Sequence, residues 1–389
     1  MSGDIRFMSE LFRIIGGALR LDVDRVRNYT NFLAEKLDAE GEGPTAARLR
    51  KLLQETDHQL RPAGITSARA LPVDAESRFP LIERSRPKAA DEPSIVLEDG
   101  QLATVAEFIS VAKSQGQIEA AGVRASLSML MYGPPGTGKS RLARHIATEL
   151  GLELFVARLD GLISSFLGST SKNIRALFEF AAQTPCVLFL DEFDAIAKLR
   201  GDTQEHGELK RVVNSFIQNL DSLGQQTIVL AATNHDELLD RAVWRRFAYR
   251  LRLTPPSSPL RLKLWEEFLP TAVPFRKKEL SVLVDLSEGF TGADIQEAAL
   301  RLRRKQITSK TEDVALGDAF EALRNLAVGD GDAHRRPLAE VRDRAPQEIA
   351  AALRARNERL YSAEILGRLL SVSKATAHRW ATTRATVHG

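Results

Sequence analysis

Gly133-Pro134-Pro135-Gly136-Thr137-Gly138-Lys139-Ser140 follows the apolar run Met129-Leu130-Met131-Tyr132 and opens the helical pattern Arg141 to Leu150. Strand, glycine-rich turn and helix in that order form the setting in which G-x-x-x-x-G-K-[ST] cradles phosphates. The glycines let successive backbone N–H groups turn inward at a helix N-terminus. Lys139 brings a positive charge for the β- and γ-phosphates, and the Ser140 hydroxyl can ligate Mg²⁺. Arg141 follows directly and joins the same candidate binding set. The stretch predicts a site for a nucleoside triphosphate on an α/β fold.

Downstream, Val187-Leu188-Phe189-Leu190 runs into Asp191-Glu192. A buried strand there delivers both carboxylates to the mouth of the phosphate loop. Asp191 is expected to hold Mg²⁺ with Ser140, and Glu192 to polarise the attacking water. Asn234 closes the next apolar strand, where its amide could orient water or the γ-phosphate; an ordinary turn or cap residue fits that position equally. Further on, Arg245 and Arg246 stand side by side ahead of the last strand. Neither reaches its own chain's γ-phosphate easily, whereas a guanidinium offered to a neighbouring subunit stabilises charge on a transferring phosphoryl group. A solvated basic turn is the alternative.

Around this centre the pattern alternates strand and helix from Leu127 to Leu253, which argues for a parallel sheet covered by helices with its ligand at the strand C-termini. Residues 95–257 form the expected large ATPase domain, and 258–330 turn wholly helical as a small lid domain. Residues 1–60 read as three amphipathic helices (Ile5–Leu19, Asp22–Leu37 and Pro44–Leu60), a bundle expected to bind a partner. Five prolines interrupt 61–94, which reads as a tether. A helical segment at 337–389 closes the chain.

The 389 residues are 43% hydrophobic, enough for two or three ordinary cores. No apolar run nears the ~20 residues that span a bilayer, and the N-terminus lacks signal-peptide order, so a cytoplasmic protein without membrane contact is expected. The single cysteine, Cys186, precedes a predicted buried strand and reads as a core residue. From Ala333 onward 11 Lys/Arg stand against 5 Asp/Glu, so that tail carries +6 and the rest of the +3 chain −3.

In order and spacing, Gly133–Ser140, Leu188–Glu192, Thr233-Asn234, Arg245-Arg246-Phe247 and Gly289–Ile295 resemble the AAA ATPases, in the branch of FtsH, katanin and spastin, over Ile95 to Val328. The resemblance implies a ring, usually of six, with ATP between subunits. It also implies Arg245 and Arg246 acting in trans, Asn234 as the nucleotide sensor, and the Gly292-Ala293-Asp294 turn beside adenosine. Phe166-Leu167-Gly168 resembles the family's pore motif, which grips an extended polypeptide. The following Ser169-Thr170-Ser171 departs from it by lacking an acidic residue. His206, Glu208 and Arg211 fall where a second pore-facing loop would lie, or else on a solvated face.

At the C-terminus, Glu364 to Trp380 resembles a helix-turn-helix. Leu366, Leu370, Val372, Ala377 and Trp380 fall where two crossing helices touch, and Gly367 is small where they approach. Ser371 stands at a turn position where glycine is usual and positive φ is often needed. Ser373, Lys374, Thr376, His378 and Arg379 would then face DNA through residues 362–384. A helical pair that packs on the ring or binds a protein suits the same spacing. The leading expectation is an ATP-driven ring that remodels, unfolds or activates a protein partner. The alternative is a DNA-associated ATPase acting in transposition, replication or defence; an inactive nucleotide-gated scaffold ranks last, because Lys139, Asp191, Glu192 and Arg245 are all present.

Overall fold

The runs 128–132, 186–190 and 228–232 are short and almost wholly apolar, which suits strands buried on both faces. The computed structural model describes residues 23–55, 71–74, 80–85, 95–123, 125–158, 167–183, 186–195, 206–223, 227–269, 275–309, 314–327 and 341–382, with isolated positions 7, 10–11, 14–15, 18 and 338. The chain divides into two compact units, Met1–Ala70 and Leu71–Gly389.

In the first unit, α1 (Val23–Ala39) and α2 (Gly43–Glu55) pack together through Leu33, Ala34 and Ala46. The helix expected over 5–19 lies largely outside the described residues.

The second unit follows in the order β1 (Glu83–Ser85), α3 (Asp99–Lys113), α4 (Gln115–Ala120), β2 (Ser128–Tyr132), α5 (Lys139–Leu150), β3 (Glu153–Arg158), α6 (Leu167–Gln183), β4 (Cys186–Asp191), α7 (His206–Ser222), β5 (Ile228–Thr233), α8 (Arg241–Trp244) and β6 (Tyr249–Arg252). Helices α9 (Ser258–Phe268), α10 (Lys277–Leu286), α11 (Gly292–Ser309) and α12 (Leu316–Leu326) form the lid. The chain continues through α13 (Pro346–Arg356), α14 (Ala363–Leu369) and α15 (Lys374–Thr382).

The six strands lie in the order β1-β3-β4-β5-β2-β6, with β1 antiparallel to β3 and the other pairs parallel. Alternate strand residues feed two cores. Leu130, Leu188, Leu190, Val229 and Ala231 meet Ile174, Leu177, Phe178 and Phe216 of α6 and α7 on one face. Met129, Met131, Val187, Phe189 and Leu230 meet Phe108, Leu142 and Ile146 of α3 and α5 on the other. Cys186 opens β4 in the first core, and burial, with the charge of Glu153 adding, pushes its thiol up to about 12.

Two expectations need correction. The stretch 61–94 is not only a tether, since Glu83–Ser85 forms the sheet's edge strand and Leu81 and Ile82 enter the core. Prolines argue against central strands but are tolerated beside an edge, where one side of the ladder needs no donor. Of the stretch resembling a pore motif, Leu167 and Gly168 belong to α6 and Phe166 lies outside the described residues. The segment 337–389 also does not pack as a body of its own. Leu338, Ile349, Leu353, Tyr361, Leu366, Leu369 and Ala377 share one continuous core with Trp265, Leu283, Phe290, Leu302 and Phe320 of the lid.

Polar contacts reinforce that joint. The buried Tyr361 hydroxyl donates to Asp285 Oδ2 at 2.6 Å, and Arg356 reaches the same carboxylate at 3.2 Å and also pairs with Glu288. Arg368 pairs with the buried Glu279 at 2.5 Å. Gly317 of α12 sits against the α14–α15 turn so closely that a Cβ there would stand 3.0 Å from Ser371 Oγ and 3.1 Å from Leu369 O.

Candidate active site

β2 lies between β5 and β6 while β3 and β4 lie beyond β5, so the chain reverses its strand order at the end of β2 and leaves a crevice there. The phosphate loop fills that position. Gly133 leaves β2 at φ 136°, and a Cβ would stand 2.0 Å from Leu253 O. Gly136, at φ 78°, approaches the lid, where a Cβ would stand 2.6 Å from Thr291 Oγ1 and 3.0 Å from Ala293 Cβ. Gly138 takes the left-handed conformation as the N-cap of α5.

A cavity of about 380 Å³ opens over the loop. Pro135 to Arg141, Asp191, Glu192, Asn234, Gly292 and Ala293 all line it. The structure thus brings together the predicted binding residues, both carboxylates, the asparagine and the lid turn. Gly133 and Pro134 stand behind the lining and accept hydrogen bonds from Lys139 Nζ at 2.7 and 2.9 Å. Burial pulls the Lys139 ammonium from its ordinary 10.5 down to about 8, with Asp191 and Asp194 opposing the change. Ser140 Oγ donates to Asp191 Oδ2 at 3.2 Å. Arg141 lies 3.7 Å from Glu267 and over the Phe268 ring of α9, which draws the base of α5 toward the lid.

Glu192 holds a φ of 54°, unusual for a residue with a side chain. Its neighbours set it there. Phe193 N–H donates to Ala232 O at 2.8 Å, and the fully buried Phe193 ring packs edge-on against Phe216 and Phe247. Phe247 in turn anchors the turn that carries Arg245 and Arg246. Both arginines are exposed and neither lines the cavity of its own chain; Arg246 pairs with Asp221 at 3.3 Å. His206, Glu208 and Arg211 lie on α7, their side chains outside the described residues.

Sequence reading missed the wall opposite the phosphate loop. Ile95, Val96, Leu97, Glu98 and Gln101 line it together with Leu260, Leu264 and Gln296 of the lid. Gln101 accepts from Glu98 N–H at 3.1 Å and donates to Arg252 O at 2.8 Å, while Glu98 accepts from Ser257 N–H at 3.0 Å. The available signal was a Glu98-x-x-Gln101 pattern at a helix start, a capping arrangement that fixes the chain's entry. The lid closes the cavity directly, because Ala293 N–H donates to Gly136 O at 3.1 Å and Asp294 caps its helix by accepting from Thr291 N–H at 2.9 Å.

The chain matches the model of the ATPase family associated with various cellular activities (AAA) over residues 129–255. It is 36% identical over 285 residues to the AAA family ATPase y4kL of Sinorhizobium fredii, covering 72% of this chain and 84% of that protein. It is 33% identical over 279 residues to the ATP-dependent zinc metalloprotease FtsH 1 of Symbiobacterium thermophilum, covering 67% of this chain but only 45% of that protein's length. Among solved structures it resembles the FIGL-1 AAA domain with a TM-score of 0.53 at 23% identity, over 67% of this chain and 90% of that one, a likeness of fold.

Proposed function

The chain belongs to the AAA ATPases, whose reaction is ATP hydrolysis, and we propose from that premise that it assembles as a ring, usually hexameric in this family, and uses hydrolysis between adjacent copies to remodel, unfold or activate a protein partner. One observation carries the reading. Lys139, Ser140, Asp191, Glu192 and Asn234 gather in one cavity while Arg245 and Arg246 stand exposed outside it. Arg141 lines the cavity but lies against Glu267 and Phe268 of the lid, and a phosphoryl-transfer site can take a further guanidinium from a neighbouring copy.

The residues fit Mg²⁺ as well as nucleotide. Ser140 and Asp191 offer hard oxygen donors 3.2 Å apart at the start of α5. Magnesium takes one or two protein ligands together with phosphate oxygens. Among the described residues no group of three His, Cys, Asp or Glu offers an all-protein cage. When bound, Mg²⁺ neutralises charge on the phosphates. Lys139 leaves the Gly133 and Pro134 carbonyls to bind the β- and γ-phosphates, and backbone N–H groups of the loop hold them at the start of α5. Glu192 accepts the proton of the attacking water, Asn234 orients that water, and a neighbour's Arg245 and Arg246 stabilise the charge on the phosphoryl group. Gly292, Ala293 and Gln296 line the lid side of the cavity, the side this reading gives to the nucleoside.

The polypeptide grip assigned to Phe166 rests on the resemblance of Phe166-Leu167-Gly168 to a pore motif. A rigid aromatic can wedge against side chains of any sequence. No helix among the described residues is long and apolar enough to cross a membrane, and a cytoplasmic setting belongs to the same proposal. The test starts with Glu192→Gln protein isolated from its host with ATP, to identify the retained client. Phe166→Ala is then expected to abolish remodelling of that client while ATP hydrolysis continues. Undiminished remodelling by Phe166→Ala refutes the grip.

A further inference from the structure

The C-terminal helices are the part of the molecule that the hydrolysis site leaves unexplained. Helices α14 and α15 cross at a tight turn, where Val372 N–H donates to Gly367 O at 2.8 Å and a Cβ on Gly367 would stand 2.9 Å from Val372 O. Ser371 adopts a φ of 56° in that turn. The third helix, α13, packs behind them through Leu353, Tyr361 and Ala377. This is the arrangement in which a second helix is presented outward to a groove.

The presented face has a definite chemistry. Ser373, Lys374, His378, Arg379 and Thr382 are exposed along α15, and from Ser371 to the chain end there is no Asp or Glu. Ser373 Oγ caps the helix by accepting from Thr376 N–H at 3.1 Å. On α14, Glu364 is engaged with Arg276 at 3.8 Å and Arg368 with the buried Glu279 at 2.5 Å. A short basic helix bearing hydroxyls, with Ala377 buried and Val372 and Trp380 packed partly against the core, complements phosphates and base edges.

The same helices are continuous with the lid. Their apolar residues share the lid's core, and Tyr361, Arg356 and Arg368 fasten them to Asp285, Glu288 and Glu279 of α10 and its end. The lid in turn touches the phosphate loop through Ala293 N–H and Gly136 O. A close-packed core transmits displacement instead of absorbing it. A shift of the lid against the phosphate loop therefore carries α15 with it.

We propose that the exposed face of α15, with Ser373, Lys374, Thr376, His378 and Arg379, docks on duplex DNA, and that the lid couples this docking to occupancy of the nucleotide cavity. The coupling rests on the assignment of the cavity to ATP. Because coupling between two binding sites is reciprocal, duplex changes nucleotide affinity by the same factor as nucleotide changes duplex affinity.

The experiment uses the full chain carrying Glu192→Gln to hold ATP, a fluorescent random-sequence 30-base-pair duplex, and a fluorescent ATP analogue titrated in the same samples. Duplex binding is expected to weaken with salt, and Lys374→Ala and Arg379→Ala each to lower the salt slope by about one. Duplex affinity is expected to differ at least about fivefold between ADP and ATP. Tyr361→Phe combined with Arg356→Ala should leave both ligands bound but bring that factor toward one. Absence of salt-sensitive duplex binding, or binding indifferent to Lys374→Ala and Arg379→Ala, overturns the docking face and leaves a protein surface. Equal duplex affinity in ADP and ATP, with nucleotide demonstrably bound, overturns the coupling; failure to bind the ATP analogue at all strikes the cavity assignment instead.

Discussion

Replacing Gly136 by alanine tests how the lid closes on the phosphate loop. The residue sits at φ 78°, where an L side chain costs about 1–2 kcal/mol. The new Cβ would also lie 2.6 Å from Thr291 Oγ1 and 3.0 Å from Ala293 Cβ, too close for either to remain in place. Retreat of that turn breaks the 3.1 Å hydrogen bond from Ala293 N–H to Gly136 O, a loss of about 0.5–1.5 kcal/mol. Together the closed arrangement loses about 1.5–3.5 kcal/mol, which weakens ATP binding roughly 10- to 400-fold if nucleotide is held between loop and lid. Gly138→Ala separates the two contributions, since Gly138 has φ 97° but a Cβ added there would meet nothing within 4 Å beyond its own chain neighbours. It should show the backbone penalty alone. Calorimetric titration with ATP measures both variants, with thermal melts confirming that each is folded. If Gly136→Ala binds ATP as well as Gly138→Ala does, the contact with Thr291 and Ala293 plays no part in holding nucleotide.

Proton linkage at Lys139 gives a second prediction. Burial disfavours its charge, so the free protein releases that proton near pH 8, and ATP affinity should fall by up to about tenfold per unit as pH rises above 8. For folding the sign is opposite: between about 8 and 10.5 the unfolded chain holds the proton more firmly, and stability from this group rises with pH. A flat ATP-binding profile from pH 7 to 9.5 contradicts the assignment. Third, losing the arginine that reaches a neighbour should slow hydrolysis by about 10³ or more while ATP binding persists. Mixing Arg245→Ala,Arg246→Ala chains with Lys139→Ala chains should restore about a quarter of the competent interfaces of a ring. A mixture as inactive as its components places the arginines' action elsewhere. Fourth, Tyr361→Phe removes a buried hydrogen bond to a carboxylate, so the transition that includes the lid should lose about 1.5–3 kcal/mol. An unchanged calorimetric melt shows that Asp285 is satisfied by Arg356 alone.

Much of the candidate site was legible because its residues sit where strands end. Lys139, Ser140, Asp191, Glu192 and Asn234 each follow an apolar run, and a parallel sheet gathers such positions at one edge. Ser371 was legible for the same local reason, its turn requiring a left-handed residue. The wall formed by Ile95 to Gln101 was not, because the Glu98-x-x-Gln101 pattern marks only a helix start, while the wall's place depends on long-range bonds to Arg252 and Ser257. Strand β1 was hidden by prolines that an edge position tolerates. The merging of the C-terminal helices with the lid stood only as one alternative for their apolar spacing. Amphipathic periodicity identifies the face a helix buries but not the partner that covers it, and here the partner is set by Gly317, Asp285 and Glu279.

The burial of Cys186 has a practical use. The chain's sole thiol is closed inside the sheet and burial pushes its pKa up to about 12, so maleimide reagents are expected to pass it by. Dyes or spin probes attached to cysteines introduced at solvent-facing sites such as Ser373 and Glu237 would therefore report without background from a native sulfur, and the wild-type sequence needs no prior alteration for spectroscopy.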